Sequence, residues 1–165
     1  MGTFPVRAAS HQGRILIIED DDANRLVFTD YLTYAGFVVL ALPGGANLIN
    51  HLQEFQPDLI LLDLGLPDID GYGLLTILRA SPEWGHMAVI VVSGYAFPAE
   101  QERARRLGIS CYLVKPVHLK ELIESIQAVL RLNFAAQSEA VKGQHRTAQD
   151  PNSQSYSPLL PPESP

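Results

Sequence analysis

A chain of 165 residues, 47% hydrophobic and 18% charged, has the length of one globular domain with an appendage and not of a two-domain enzyme. Twelve Lys and Arg against eighteen Asp and Glu leave a net charge of -6, which opposes long-range attraction to nucleic acid or to an anionic membrane surface. One cysteine, Cys111, excludes an intramolecular disulfide framework and a zinc finger, and points to a reducing compartment.

Residues 1–12 carry no periodic pattern and read as a flexible N-terminus. The folded part opens with Arg14-Ile15-Leu16-Ile17-Ile18, a continuous apolar run of the kind that forms a strand buried on both faces. A helix is expected over about 23–35, ended by Gly36, then a shorter strand over Phe37 to Leu40 and a helix over 45–55. Leu59-Ile60-Leu61-Leu62 and Ala88-Val89-Ile90-Val91-Val92 repeat the buried-strand signal, with a helix over 72–80 between them. A helix over 98–107 is ended by Gly108 and followed by a fifth strand, Cys111 to Val114. The last helix, 119–131, shows the clearest period, since Leu119, Leu122, Ile123, Ile126 and Leu130 share one face. The second and fifth strands suit the edges of the sheet. Composition changes after Asn133: the last 32 residues hold five of the twelve prolines, five serines and four glutamines, with Val141, Leu159 and Leu160 as the aliphatics. That segment, 134–165, reads as a disordered Pro/Ser/Gln-rich tail, leaving 13–133 as a single domain.

No apolar run approaches the width of a bilayer, and no basic-then-apolar leader opens the chain, so a cytoplasmic protein without membrane insertion is expected. The Met1-Gly2 start is not read as a myristoylation signal, because Val6 stands where that motif wants Ser or Thr.

Five βα units predict a doubly wound parallel sheet, whose ligand crevice lies at the carboxyl ends of the strands. The strand ends therefore carry the functional argument. Neither G-x-G-x-x-G nor a P-loop lysine follows the first strand; Glu19, Asp20, Asp21 and Asp22 stand there instead. Asp63 follows the third strand, Ser93 the fourth, and Lys115-Pro116 the fifth. Neighbouring carboxylates repel unless a cation neutralises them, and oxygen ligands with a phosphate nearby are what Mg²⁺ prefers. Lys115 adds a fixed positive charge and Ser93 a hydroxyl, a set suited to phosphoryl transfer onto Asp63. Each feature alone has a plainer reading: a solvated helix cap, a turn, a surface charge. Their joint placement at the strand ends favours the site. Asp22 suits a helix cap rather than a ligand, and Asp68 and Asp70 suit turns. The five histidines show no ligand spacing, and Trp84, between Pro82 and Gly85, reads as loop packing.

These residues resemble the receiver domain of two-component response regulators, in particular single-domain chemotaxis-type regulators. The resemblance is carried by Ile15 to Asp20, by Pro57 to Gly71 around Leu61-Leu62-Asp63, by Val91-Val92-Ser93-Gly94, and by Tyr112-Leu113-Val114-Lys115-Pro116. It implies a flavodoxin-like fold with strand order 2-1-3-4-5. It implies that Asp63 accepts the phosphoryl group and that Glu19, Asp20, Asp63 and the Gly65 backbone carbonyl serve Mg²⁺, Asp20 directly and Glu19 through water. Ser93 and Lys115 would hold phosphoryl oxygens, Lys115-Pro116 would be cis, and Gly65 and Tyr95 would set the lifetime of the phosphoryl group. Ser93 and Tyr112 would form the switch, acting on a face that includes Arg103, Arg106, Tyr112 and Lys120.

The expected function is a signalling switch and not an enzyme, charged by a histidine kinase or phosphotransfer protein and acting on an unknown downstream protein. A phosphorylation-dependent homodimer is a further expectation. No helix-turn-helix pattern and no net positive charge follow residue 133, so direct nucleic-acid contact is not expected and the protein reads as a stand-alone regulator. Two alternatives remain open. One is the receiver segment of a hybrid histidine kinase; the other is a flavodoxin-like electron carrier, against which four acids in the phosphate loop would repel FMN.

Overall fold

The computed structural model describes residues 12–67 and 69–146; the expectations for residues 1–11, Asp68 and 147–165 lie outside these. Five strands alternate with five helices: β1 (Arg14–Ile18), α1 (Asp22–Tyr34), β2 (Val38–Leu42), α2 (Leu48–Phe55), β3 (Leu59–Leu62), α3 (Gly71–Ala80), β4 (Ala88–Ser93), α4 (Pro98–Arg106), β5 (Cys111–Val114) and α5 (Leu119–Arg146). All pairings are parallel, and the sheet runs β2-β1-β3-β4-β5. The flavodoxin-like order and the two edge strands agree with the sequence reading.

The unbroken apolar runs follow from two covered faces. Leu16, Ile18, Ile60, Leu62, Val89 and Val91 point to one side, under Leu52 of α2 and Leu74, Leu75 and Leu78 of α3. Ile15, Ile17, Leu59, Leu61, Ile90 and Val92 point to the other, under Phe28 and Leu32 of α1 and Leu122, Ile126 and Leu130 of α5. Alternation along each strand sends successive side chains to opposite cores, so the interior positions of β1, β3 and β4 are apolar. Trp84 belongs to the first core and is 7% exposed. Gly36 and Gly108 take left-handed φ of 93° and 74°, the conformation their places after helices require.

Several boundaries differ from expectation. β2 begins at Val38 because the Phe37 amide turns back to the Leu32 carbonyl at 3.0 Å, and it continues to Leu42 because Ala41 and Leu42 pair with Ile17 and Ile18. α2 begins at Leu48, not 45. Asn47 before it is left-handed, and Gly45 lies so close to Leu74 that a Cβ would stand 2.5 Å from its methyl groups. The cap of α1 is Asp21, whose carboxylate accepts the Asn24 amide at 2.8 Å, and not Asp22, which is already helical and pairs with Arg25. α5 does not stop at 131 but runs to Arg146, so residues 134–146, expected in the disordered tail, are helical. Ala135, Ala136, Gln137, Glu139, Ala140 and Lys142 are strong helix formers and do not need a buried stripe to extend a helix already started. The chain divides into two units between Asn133 and Phe134. Among the described residues no helix is long and apolar enough to cross a membrane.

Candidate functional site

The ladder of the sheet continues one residue past β1, β3 and β5, and β4 ends on Ser93 itself, one residue further than the sequence suggested. The Glu19 amide donates to Leu42 at 3.1 Å, the Asp63 amide to Ile18 at 2.9 Å, and the Lys115 amide to Ser93 at 2.9 Å. Glu19, Asp63, Ser93 and Lys115 are thereby fixed at one edge by main-chain bonds.

The side chains of Glu19, Asp63 and Lys115 converge. Lys115 Nζ lies 2.6 Å from Asp63 Oδ2 and 2.7 Å from Glu19 Oε2. The second oxygen of Asp63, Oδ1, accepts the Gly65 amide at 2.9 Å, and Glu19 Oε1 accepts the Asp21 amide at 3.3 Å. Glu19 is 2% and Asp63 8% exposed, whereas Asp20 is open to solvent. One carboxylate oxygen from each of these three acids falls within 4.8 Å of the others. Burial raises the Glu19 carboxyl above its ordinary range, with Lys115 opposing and Asp63 reinforcing the shift. For Lys115, burial pulls downward, but the two carboxylates outweigh it and hold the ammonium above its ordinary value. Three carboxylates against one ammonium leave negative charge uncompensated in a half-buried place, and an all-oxygen donor set of this kind fits a hard divalent cation.

Around this centre each neighbouring loop has a local cause. Arg25, on the first turns of α1, donates to the Glu19 carbonyl at 2.9 Å and the Asp20 carbonyl at 3.2 Å, so it holds the acid loop. Sequence reading did not single it out; its signal is a base three residues after the last acid of the run. In the β3–α3 loop, buried Leu64 and Leu66 anchor the chain and Asp70 caps α3 through the Tyr72 amide at 3.2 Å. Gly71 can only be glycine: a Cβ there would lie 2.6 Å from Leu64 Cα and 2.8 Å from the Asp63 carbonyl. Gly65 is different. A Cβ there would stand 3.6 Å from Asp63 Oδ1 and 4.0 Å from the Tyr95 hydroxyl, so Gly65 and Tyr95 flank the carboxylate together.

Ser93 is 1% exposed, and its Oγ accepts the Tyr95 amide at 3.2 Å. The Tyr112 hydroxyl donates to the Tyr95 carbonyl at 2.7 Å, tying β5 to the segment that leads into α4. Burial raises the Tyr112 hydroxyl, the Ser93 side chain pulls it back, and the Glu100 and Asp63 carboxylates raise it further. The Lys115-Pro116 peptide is cis. The other residues expected on the outer face are engaged locally: Arg103 lies 3.8 Å from the centre of the Tyr72 ring, Arg106 pairs with Glu102 at 3.2 Å, and Lys120 with Glu124 at 3.8 Å.

Comparison with known proteins agrees with this geometry. The pattern of the response regulator receiver domain matches residues 15–127. The polar-differentiation response regulator DivK of Brucella anthropi is 31% identical over 116 residues, covering 70% of this chain and 94% of that protein. Among solved structures, a CheY-like response regulator receiver domain protein from Methanospirillum hungatei JF-1 superposes with a TM-score of 0.69 at 28% identity, over 74% of this chain and 97% of that one. The Mn²⁺-bound response regulator Rcp1 gives 0.60 at 28% identity, over 71% and 91%. A parallel sheet that gathers two buried acids, a lysine and a serine at its carboxyl edge, together with a family match over most of its length, places this chain in the response regulator receiver domain family.

Proposed function

We propose that Asp63 accepts a phosphoryl group from a histidine kinase or phosphotransfer protein, and that the domain then acts as a switch by contact with a partner protein. One observation carries this reading: a carboxylate 8% exposed, with one oxygen on Lys115 and the other on the Gly65 amide, beside two further acids. Receiver domains are signalling domains, and the residues here serve an acceptor rather than turnover of a substrate.

Asp63 attacks phosphorus through a carboxylate oxygen, and the bond from phosphorus to the donor breaks. Lys115 keeps its charge through the reaction and pairs with a phosphoryl oxygen; the Ser93 hydroxyl donates to another. Glu19, Asp20, Asp63 and the Gly65 carbonyl would hold Mg²⁺, Glu19 through water, and the ion when bound supplies positive charge against the acids and the incoming phosphoryl group. The divalent ion of Rcp1 supports that assignment. Ser93 leaving the Tyr95 amide for a phosphoryl oxygen would alter the segment to which Tyr112 is bonded, so Ser93 and Tyr112 act as the switch pair. The output is a protein contact, with phosphorylation-dependent pairing of two copies as one form of it, in a cytoplasmic regulator.

The test is incubation with acetyl phosphate and Mg²⁺, followed by intact mass and hydroxylamine treatment. The wild type should gain one hydroxylamine-labile phosphoryl group and Asp63→Asn none. Stoichiometric labelling of Asp63→Asn overturns the assignment, and unchanged Mg²⁺ affinity in Asp20→Ala, measured by calorimetry, overturns the ligand set.

A further inference from the structure

Little apolar surface holds α4 in place. Its sequence, Pro-Ala-Glu-Gln-Glu-Arg-Ala-Arg-Arg, buries one residue, Ala104, whereas α3 buries Tyr72, Leu74, Leu75 and Leu78 along with Gly71. A single methyl gives a helix of this length almost no hydrophobic anchorage. Its position has to come from polar contacts, and among the described residues two strong ones issue from α3.

Tyr72 supplies the first. Its ring is 4% exposed, its hydroxyl donates to the Glu100 carboxylate at 2.5 Å, and the Arg103 guanidinium lies 3.8 Å over its face. Arg79 supplies the second, seven residues and about two turns further along the same side of α3. It donates to the carbonyls of Leu107 at 2.9 Å and Gly108 at 2.8 Å, just past the end of α4, and to Gly85 and Met87 at 3.1 Å in the loop before β4. The two anchors differ in kind. Arg79 grips four main-chain oxygens on two loops, whereas Tyr72 meets α4 itself, through the carboxylate and, at 3.0 Å, the carbonyl of Glu100 and through the Arg103 side chain. Between the anchors, α3 and α4 leave a groove of about 660 Å³, with Gly73 and Thr76 on one side and Ala99, Glu102 and Arg106 on the other, which is room for α4 to move.

Tyr72 is also tied to the acceptor. Gly71 packs directly on the Leu64 backbone and the Asp63 carbonyl, and its amide donates to Leu64 at 3.3 Å. Main chain at Asp63 cannot shift without moving Gly71, and Tyr72 is the next residue.

We infer that Tyr72 couples the Asp63 loop to the first half of α4, with Arg79 as the fixed pivot at the far end, so that α4 swings when the Tyr72–Glu100–Arg103 contact is broken or remade. This rests on the reading of Asp63 as the phosphoryl acceptor, and it is a route through α3 separate from Ser93 and Tyr112. Phosphorylation can bias it only through a difference in contact free energy between the two positions of α4.

Hydrogen exchange of the α4 amides tests it, in wild type, Tyr72→Phe, Glu100→Gln and Ser93→Ala, each with and without beryllofluoride and Mg²⁺. Tyr72→Phe keeps the ring under Arg103 and loses the hydroxyl, and a urea melt checks that it folds. In the unmodified protein its amides over 101–104 should exchange roughly tenfold faster, the effect of losing one hydrogen bond to a charged group, while those of Leu107 and Gly108 keep their rates. Glu100→Gln, which still accepts through its amide oxygen, should fall between. With beryllofluoride, wild type and Ser93→Ala should show a change in α4 that Tyr72→Phe lacks, although Gly65 and Lys115 respond in all three. Wild-type exchange in unmodified Tyr72→Phe, or an undiminished beryllofluoride response of its α4, overturns the inference. Should Gly65 and Lys115 of the wild type fail to respond, the acceptor reading fails instead, and exchange in the unmodified proteins still decides whether Tyr72 holds α4.

Discussion

Lys115 is shared by two buried carboxylates, and its removal tests the electrostatics of the site. Lys115→Met keeps most of the aliphatic stem and deletes Nζ, leaving Glu19 at 2% and Asp63 at 8% exposure without a counter-charge. At an effective dielectric of about 20 and a charge separation of about 4 Å, each lost attraction is worth roughly 4 kcal/mol. The desolvation penalty of the ammonium disappears with it and offsets a large share, so the net cost is about 3–5 kcal/mol, as for other buried pairs stripped of one partner. For a domain of this size that corresponds to a fall of roughly 10–20 °C in melting temperature. Urea unfolding followed by the emission of Trp84, the single tryptophan and a core residue, reads the loss. The pH dependence has a definite sign. Without Lys115, the burial that already raises the Glu19 carboxyl is unopposed, so the deficit is full at neutral pH and shrinks as the pH falls and the folded state takes up a proton that the unfolded state does not. Asp63→Asn acts in the other direction: one lysine then faces one carboxylate, and stability should change by less than about 1 kcal/mol or rise. A loss below about 1 kcal/mol in Lys115→Met, or an equal loss in Asp63→Asn, would refute the reasoning.

Gly71→Ala pushes a methyl into the Leu64 and Asp63 backbone and should cost about 1–3 kcal/mol in a urea melt; wild-type stability would show that the loop gives way freely. Gly65→Ala meets only ordinary contacts at 3.6 and 4.0 Å, so labelling should survive while water is hindered at the phosphoryl group. Its phosphoprotein should decay more slowly in a chase followed by mass, and equal or faster decay counts against that reading. Burial, then the bond to Glu100, holds the Tyr72 hydroxyl above its ordinary value near 10. The stabilising effect of that shift is complete below pH 10 and is lost as the pH rises toward the higher folded value, so between about pH 10 and 12 wild type should lose roughly 1.4 kcal/mol per pH unit more than Tyr72→Phe. Parallel alkaline titrations of the two proteins would contradict this.

What could be read from the chain depended on how local the cause was. β1, β3 and β4 were legible because burial on both faces leaves a continuous run such as Leu59-Ile60-Leu61-Leu62, and the residue after each run is where a parallel sheet exposes chemistry. Strand pairing hid the end of β2, because Ala41 and Leu42 are extended by their partners on β1 and not by their own pattern. The choice between Asp21 and Asp22 as cap is decided by one hydrogen bond to Asn24, which four consecutive acids cannot reveal. α5 outran its apolar stripe because propensity alone carries a helix that packing has already nucleated. Tyr72 and Glu100 lie 28 residues apart on two helices, and nothing in either segment announces the other.

The positive charge of the site stands 52 residues beyond the carboxylate it meets. A chain made from its N-terminus therefore presents Glu19, Asp20 and Asp63 well before Lys115 leaves the ribosome. Until then the acids face one another without their internal counter-ion, on a sheet that lacks β5. On the role proposed for Asp63, a nascent or truncated chain would not compete with finished copies for phosphoryl groups, because the acceptor site is completed only when Lys115, just past β5, is in place.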